Sequence, residues 1–148
     1  MLSIKNEREM MIAPCGINCT YCYAHHKKEK QCQGCRQTDN GKPEHCKKCK
    51  IRICSDERRI LFCCDCTEYP CVLIKRLDKS YQTRYNESIL NNMMILNARG
   101  IDYYLSVEKE RLKCPECNGI LNIHDKKCSE CGKIFEVNRL DPRENRKK

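Results

Sequence analysis

The chain is predicted to be a small metal-stabilised α+β protein, with an irregular, knuckle-rich N-terminal region, short helices and a C-terminal zinc ribbon. Three observations lead there. Sixteen of its 148 residues are cysteine, and six pairs have the spacing Cys-x2-Cys: Cys19/Cys22, Cys32/Cys35, Cys46/Cys49, Cys63/Cys66, Cys114/Cys117 and Cys128/Cys131. Trp is absent, Phe occurs twice and 33% of the residues are charged. So little apolar surface suits no ordinary two-layer core, and small domains of this kind draw on disulfides or metals. Between 86 and 112, apolar residues recur at helical intervals.

Metal is favoured over disulfides. Two thiolates separated by two residues on a tight turn can face one ion, which a disulfide framework does not require. The N-terminus, Met1 to Arg8, has no apolar run of signal-peptide length, and acidic residues interrupt its basic ones. No stretch approaches the roughly 18 apolar residues of a membrane span. We therefore expect a cytoplasmic protein without membrane contact, whose reduced, clustered thiols bind metal. Such sites scarcely exist in the unfolded chain, so binding energy becomes folding energy. The formal net charge of +9 invites a nucleic-acid partner. Each zinc ion held by four thiolates subtracts two charges, however, so three or four sites bring the protein close to neutrality and weaken that case.

Residues 1–14 read as a short lead-in strand or helix ending at Pro14. Residues 15–71 hold twelve of the sixteen cysteines, with Gly16, Gly34, Gly41 and Pro43 as turn punctuation, so loops should dominate the multi-cysteine region, taken as 12–80. A helix is expected after Pro70, where Val72, Leu73, Ile74 and Leu77 alternate with Lys75, Arg76 and Lys79. A second covers 86–99, with Ile89, Leu90, Met93, Met94 and Leu96 on one broad face and Asn91, Asn92 and Asn97 opposite. Gly100 stops it. A third places Ile101, Tyr104, Leu105 and Leu112 at helical spacing, which closes a helical segment over 81–112. Residues 113–136 form the ribbon, and the polar, basic 137–148 are expected to be a disordered tail.

The strongest motif is Cys114-x2-Cys117-x10-Cys128-x2-Cys131. Two knuckles bracket Ile120-Leu121-Asn122-Ile123, which alternates loosely as a strand would. Gly119 and Gly132 let the backbone curl so that amide hydrogens reach the thiolates. Tetrahedral four-thiolate zinc fits, with every position filled; a rubredoxin-like iron site uses similar knuckles. In the N-terminal half, two sites are expected, for example Cys19/Cys22 with Cys32/Cys35 and Cys46/Cys49 with Cys63/Cys66. Cys15, Cys54, Cys64 and Cys71 are then left to complete a third site, replace members of the others or stay buried as small hydrophobes. Cross-braced and sequential pairings stay open. Cys64 is the poorest ligand candidate, because adjacent cysteines rarely point to one ion.

Cys15-x3-Cys19-x2-Cys22, with Tyr21 before the last cysteine, resembles the cluster loop of radical S-adenosylmethionine enzymes. The chain lacks the repeated strand–helix units and the glycine-rich strand such enzymes need. An iron–sulfur cluster on Cys15, Cys19, Cys22 and one further thiolate is the competing cofactor reading. His25, His26, His45 and His124 are zinc-compatible, but each reads more simply as a surface polar residue, and His25-His26-Lys27-Lys28 lies in a solvated charged run. Basic clusters at Lys27/Lys28/Lys30, Lys47/Lys48/Lys50/Arg52 and 139–148, with seven tyrosines, allow stacking on bases. No nucleophile–base pair, carboxylate dyad or phosphate-cradling loop stands out, so no catalytic residue is assigned.

The ordered series Pro14-Cys15-Gly16-x2-Cys19-x2-Cys22, Cys32-x-Gly34-Cys35, Cys46-x2-Cys49-x4-Cys54 and Cys63-x2-Cys66-x2-Tyr69-Pro70-Cys71, with Cys114-Pro115 and His124 in the closing ribbon, is similar to the cysteine-rich domain-of-unknown-function-3795 family of prokaryotic proteins. The similarity spans about residues 12–133. It implies zinc binding and names no activity; Cys64 departs from the pattern. The expectation is a zinc protein with structural ions that serves as an interaction module for a macromolecular partner, protein or nucleic acid.

Overall fold

The computed structural model describes residues 2–26, 31–36, 42 and 44–142. Among the described residues six helices follow one another: α1 (Glu7–Met10), α2 (Glu44–Lys47), α3 (Lys50–Arg58), α4 (Val72–Tyr85), α5 (Ile89–Arg99) and α6 (Ile101–Arg111). Single 3-10 turns occupy Cys19–Tyr21 and Cys63–Asp65. Among the described residues β pairing is limited to isolated antiparallel bridges, Ile12 with Asn18, Lys113 with Ile120, Leu121 with Cys128 and Lys127 with Ile134. The architecture is thus mostly helical rather than the α+β expected. The cysteine turns explain part of this, since their amides bond back within the turn. Cys22 N–H donates to the Cys19 carbonyl at 3.1 Å, Cys49 N–H to Cys46 at 3.2 Å and Cys66 N–H to Cys63 at 3.0 Å, leaving few groups for a ladder.

Helices α4, α5 and α6 arise where the apolar spacing predicted them, and their ends have local causes. Asn86, at φ 53°, stops α4 in the left-handed region that Asn tolerates. Ser88 caps α5 by accepting the Asn91 N–H at 3.1 Å, while the buried Asp78 accepts the Ser88 hydroxyl at 2.9 Å and the Leu90 N–H at 3.0 Å. Gly100 turns the chain between α5 and α6 at φ 89° and ψ 170°, a conformation open essentially to glycine. Helix α3 was not expected. Its charged residues hide the only buried pair, Ile51 and Ser55, one turn apart.

The scarce apolar residues are concentrated. One buried cluster joins Ala13, Ile17 and Tyr21 to Ile74, Ile89, Leu112, Leu121 and Ile123. A second joins Ile12 and Phe62 to Met93, Ile95, Leu96, Tyr104 and Leu140. Conventional packing therefore contributes more than composition suggested. Tyr104 is fully buried and donates its hydroxyl to the Gly16 carbonyl at 2.6 Å. Gly16 sits at φ 95°, and a Cβ there would meet Met93 Sδ at 2.6 Å. Its glycine thus serves both a turn and a close approach of the first cysteine loop to α5.

A buried charge network ties the helices to the C-terminal unit. Arg111 grips Glu87 through two bonds of 2.8 Å and Glu108 through one of 3.0 Å, and Lys126 reaches Glu87 at 2.6 Å. Residues 137–142, expected within a disordered tail, lie against the helices: Leu140 is buried and its carbonyl accepts from Asn91 at 2.8 Å. Residues 143–148 lie outside the described residues. No helix among the described residues is long and apolar enough to cross a membrane.

Candidate metal centre

The C-terminal unit brings its four cysteines together. The sulfurs of Cys114, Cys117, Cys128 and Cys131 all lie within 4.8 Å of one another, with Cys114 and Cys131 at 3.8 Å and Cys117 and Cys128 at 3.4 Å. These separations far exceed a disulfide bond of about 2.05 Å, and the donor set is one that could hold a metal ion. Each half of the unit is a tight turn whose amides face sulfur. Cys117 accepts the Gly119 N–H at 3.3 Å, while Cys128 accepts those of Glu130 and Cys131 at 3.3 Å and 3.5 Å. Burial works against a Cys128 thiolate, but these two amides and the Cys117 thiol outweigh it and pull the thiol down to about 6. A preorganised thiolate results, as a metal ligand requires.

Gly119 has a steric role beyond the turn. A Cβ built on it would collide with Cys128 Sγ and crowd the Glu130 side chain at 3.0 Å. Gly119→Ala is expected to displace that sulfur at a cost of about 1–3 kcal/mol, weakening metal retention about tenfold or more in a competition titration with a chromophoric chelator. Unchanged retention would show that the turn relaxes freely.

The N-terminal cysteines are gathered more loosely around the first apolar cluster. Cys19 Sγ lies 3.5 Å from Cys35 Sγ and also accepts the Cys35 N–H at 3.4 Å. The charges of Cys35, Cys22, Cys32 and Cys49 act on Cys46, whose thiol burial first of all pushes up to about 12. Cys15, buried, is raised by burial and then by Cys35, Cys49 and Cys63. Among the described residues no three N-terminal cysteines bring their sulfurs within 4.8 Å of one another. Lys42, Arg52 and Arg36, after the Cys19 hydrogen bond and against the opposing effect of burial, help draw Cys35 down to about 7. Cys54, Cys63, Cys66 and Cys71 instead line a separate cavity of about 30 Å³ under α3 and α4. The expected grouping of Cys19/Cys22 with Cys32/Cys35 keeps neighbours together. The other expected grouping, Cys46/Cys49 with Cys63/Cys66, has α3 between its two pairs in the chain, and the charges of Cys49 and Cys63 both act on Cys15.

Cys64 packs against the second apolar cluster, as Cys63 and Tyr69 also do. Burial, then the Asp65 carboxylate, push its thiol up to about 11.

The histidines differ from the surface reading. His25 Nδ1 donates to the Cys32 carbonyl at 2.7 Å, and His26 Nε2 to the Thr20 carbonyl at 2.6 Å, so both brace the first cysteine loop. His124 is half-buried among the rings of Tyr23, Tyr81 and Tyr85, at centroid distances of 5.0, 5.6 and 4.7 Å. Its Nε2 lies 3.0 Å from the Tyr81 hydroxyl, and its Nδ1 accepts the Tyr23 N–H at 3.4 Å. It fastens the C-terminal unit to the first cysteine loop, a role that no spacing in the sequence announces. The His45 side chain and Lys27, Lys28 and Lys30 lie outside the described residues.

Comparison with known proteins gives one positive result. Residues 11–76 match the family model described as protein of unknown function (DUF3795). No curated protein and no solved structure matches the chain. The match takes in every N-terminal cysteine and ends within α4, short of the C-terminal unit that the similarity over 12–133 had included. Over residues 11–76, the chain is similar to the family described as protein of unknown function (DUF3795).

Proposed function

We propose that the protein binds zinc at closed four-thiolate sites, and that these ions fix a rigid surface that docks a macromolecular partner in the cytoplasm. The C-terminal quartet carries this reading. With Zn–S bonds of about 2.3 Å, the corners of a tetrahedron lie about 3.8 Å apart, close to the 3.8 Å and 3.4 Å between its sulfurs. Four protein sulfurs leave no position for a substrate or catalytic water, so the ion acts on shape. The antiparallel bridges flanking the quartet suit a zinc ribbon. Exposed Ile134, Met94 and Val72 offer apolar contact points for a partner.

Elemental analysis of anaerobically purified protein tests the metal. Zinc is expected, and Cys114→Ser or Cys128→Ser should each release one equivalent; full retention by both variants would end the reading. Fluorescence anisotropy with mixed-sequence single-stranded RNA at rising salt tests the partner class. Saturable binding with a steep salt slope supports nucleic acid, whereas no binding at physiological salt leaves protein as the partner.

A second reading has one observation in its favour. Cys35 Sγ lies 3.5 Å from Cys19 Sγ, which supports Cys35 as the further thiolate of an iron–sulfur cluster on Cys15, Cys19 and Cys22. A brown, iron-containing anaerobic preparation that bleaches on Cys15→Ser would establish it; a colourless one removes it.

A further inference from the structure

We propose that the solvent face of α4, together with the cleft at its C-terminal end, binds a single strand of nucleic acid, with phosphates along the helix and one base in the cleft. This reading rests on the docking role proposed above and names the class of partner.

The phosphate track is written into one helix. Lys75, Arg76, Lys79 and Arg84 of α4 are all exposed, and its single acid, Asp78, is 5% exposed. Asp78 is spent inward on Gln82, the Ser88 hydroxyl and the Leu90 amide, so the helix presents no carboxylate to solvent. An ordinary solvated face mixes its charges, because opposite signs three and four residues apart stabilise a helix and like signs repel. Lys75, Arg76 and Lys79 stand at those like-signed spacings, and among the described residues none of them forms an ion pair. A line of phosphates relieves that repulsion and releases counterions on binding. Other cations stand beside the thiols: Arg58 lies 3.7 Å from Cys66 Sγ, and Lys42, Arg52 and Arg36 act on Cys35.

The base site follows where the helix stops. An open cleft of about 560 Å³ takes in Gln82 and Thr83 from the same face and continues past Arg84 and Tyr85 to His124 and Phe135. Its flat groups are already set. The Arg84 guanidinium lies over the Tyr85 ring at 5.1 Å, and that ring meets His124 edge-on, at 4.7 Å with the planes at 85°. Unpaired bases stack on guanidinium planes and aromatic rings alike, so a base laid on the outer plane of Arg84 extends a stack that exists without it. Glu136, the one carboxylate among the described lining residues, can accept from a base amino group. Cations leading to fixed ring planes suit a strand with free bases; a duplex hides its base faces, and an anionic membrane has none.

The test titrates metal-replete protein into a short fluorescein-labelled RNA of mixed sequence, and into DNA of the same sequence, following anisotropy at several salt concentrations. Saturable binding of either strand at physiological salt is expected, with the difference between them reporting the 2′-hydroxyl. Lys75→Gln with Lys79→Gln should weaken binding about tenfold and lower the salt slope by about 1.4, the loss of two phosphate contacts. Arg84→Ala should weaken it about tenfold and change the fluorescence of a 2-aminopurine strand on binding. Lys5→Gln with Lys109→Gln, outside α4, should bind as wild type. The substituted side chains are all exposed, so zinc content and melting curve should match wild type throughout. The proposal is overturned by no saturable binding of either strand, by an equal loss in the Lys5/Lys109 variant, or by tighter binding to duplex or to phosphatidylserine vesicles. No strand binding with zinc content intact ends this inference and leaves the protein-partner reading standing; missing zinc ends the metal reading whatever the strands do.

Discussion

Stripping the metal from reduced protein is expected to abolish the cooperative unfolding transition. Structural zinc contributes about 10–16 kcal/mol of apparent binding energy in small zinc-dependent folds at neutral pH, while a whole domain has only about 5–15 kcal/mol of net stability. The two apolar clusters do not stand apart from the thiols. Cys15, Cys19, Cys114 and Cys128 are themselves buried members of the first, and Phe62, adjacent to Cys63, is a fully buried member of the second. Cysteine turns that lose their ions would release Gly16 from Tyr104 and Ile123 from the Tyr21 carbonyl, bonds of 2.6 Å and 2.8 Å that fasten the loops to the helices. Helices α4 to α6 retain amphipathic faces, so the stripped chain should keep part of its helical circular dichroism while losing its sigmoidal melt. A sharp melt and native spectrum after complete chelation would show that apolar packing alone suffices.

The second large effect is expected at Glu87. Glu87→Gln should destabilise the protein by about 3–5 kcal/mol, the usual consequence of breaking a buried ion pair, and lower the melting midpoint by on the order of 10 °C. Glu87 is 1% exposed and accepts from Arg111 and Lys126 at once. Without its charge, both cations stay buried while facing only Glu108. Burial raises the Glu108 carboxyl, Arg111 works against that rise and Glu87 adds to it; losing Glu87 removes that addition, but one carboxylate then serves both cations. Burial likewise lowers Lys126, against the pull of Glu87; losing that carboxylate should therefore favour its neutral form. The variant's deficit should appear in denaturant melts of the metal-replete protein with zinc content unchanged. A midpoint within experimental error of wild type would show that the network relaxes or admits water.

Much of this was legible before any coordinates. The Cys114-x2-Cys117-x10-Cys128-x2-Cys131 pattern identified a donor set that does converge, because both halves of the site are local turns and only a short bridge joins them. Apolar spacing announced α4, α5 and α6, and Gly100 marked the break between two of them. Helix α3 was hidden because it buries only Ile51 and Ser55 among charges, too weak a pattern to separate from a loop. The mostly helical outcome was obscured for a related reason: cysteine spacing reports the turns and is silent about what lies between them.

By itself the sequence determined a cysteine-rich chain whose Cys-x2-Cys turns could supply metal ligands, since ligand chemistry and turn geometry act over a few residues. Only the tertiary structure decided which thiols are neighbours. It sets Cys35 against Cys19, and Cys54, Cys63, Cys66 and Cys71 around one small cavity. The same holds for His124 among its tyrosines and for Glu87 between Arg111 and Lys126. Such contacts join residues far apart in the chain, and no local periodicity encodes the distance between them.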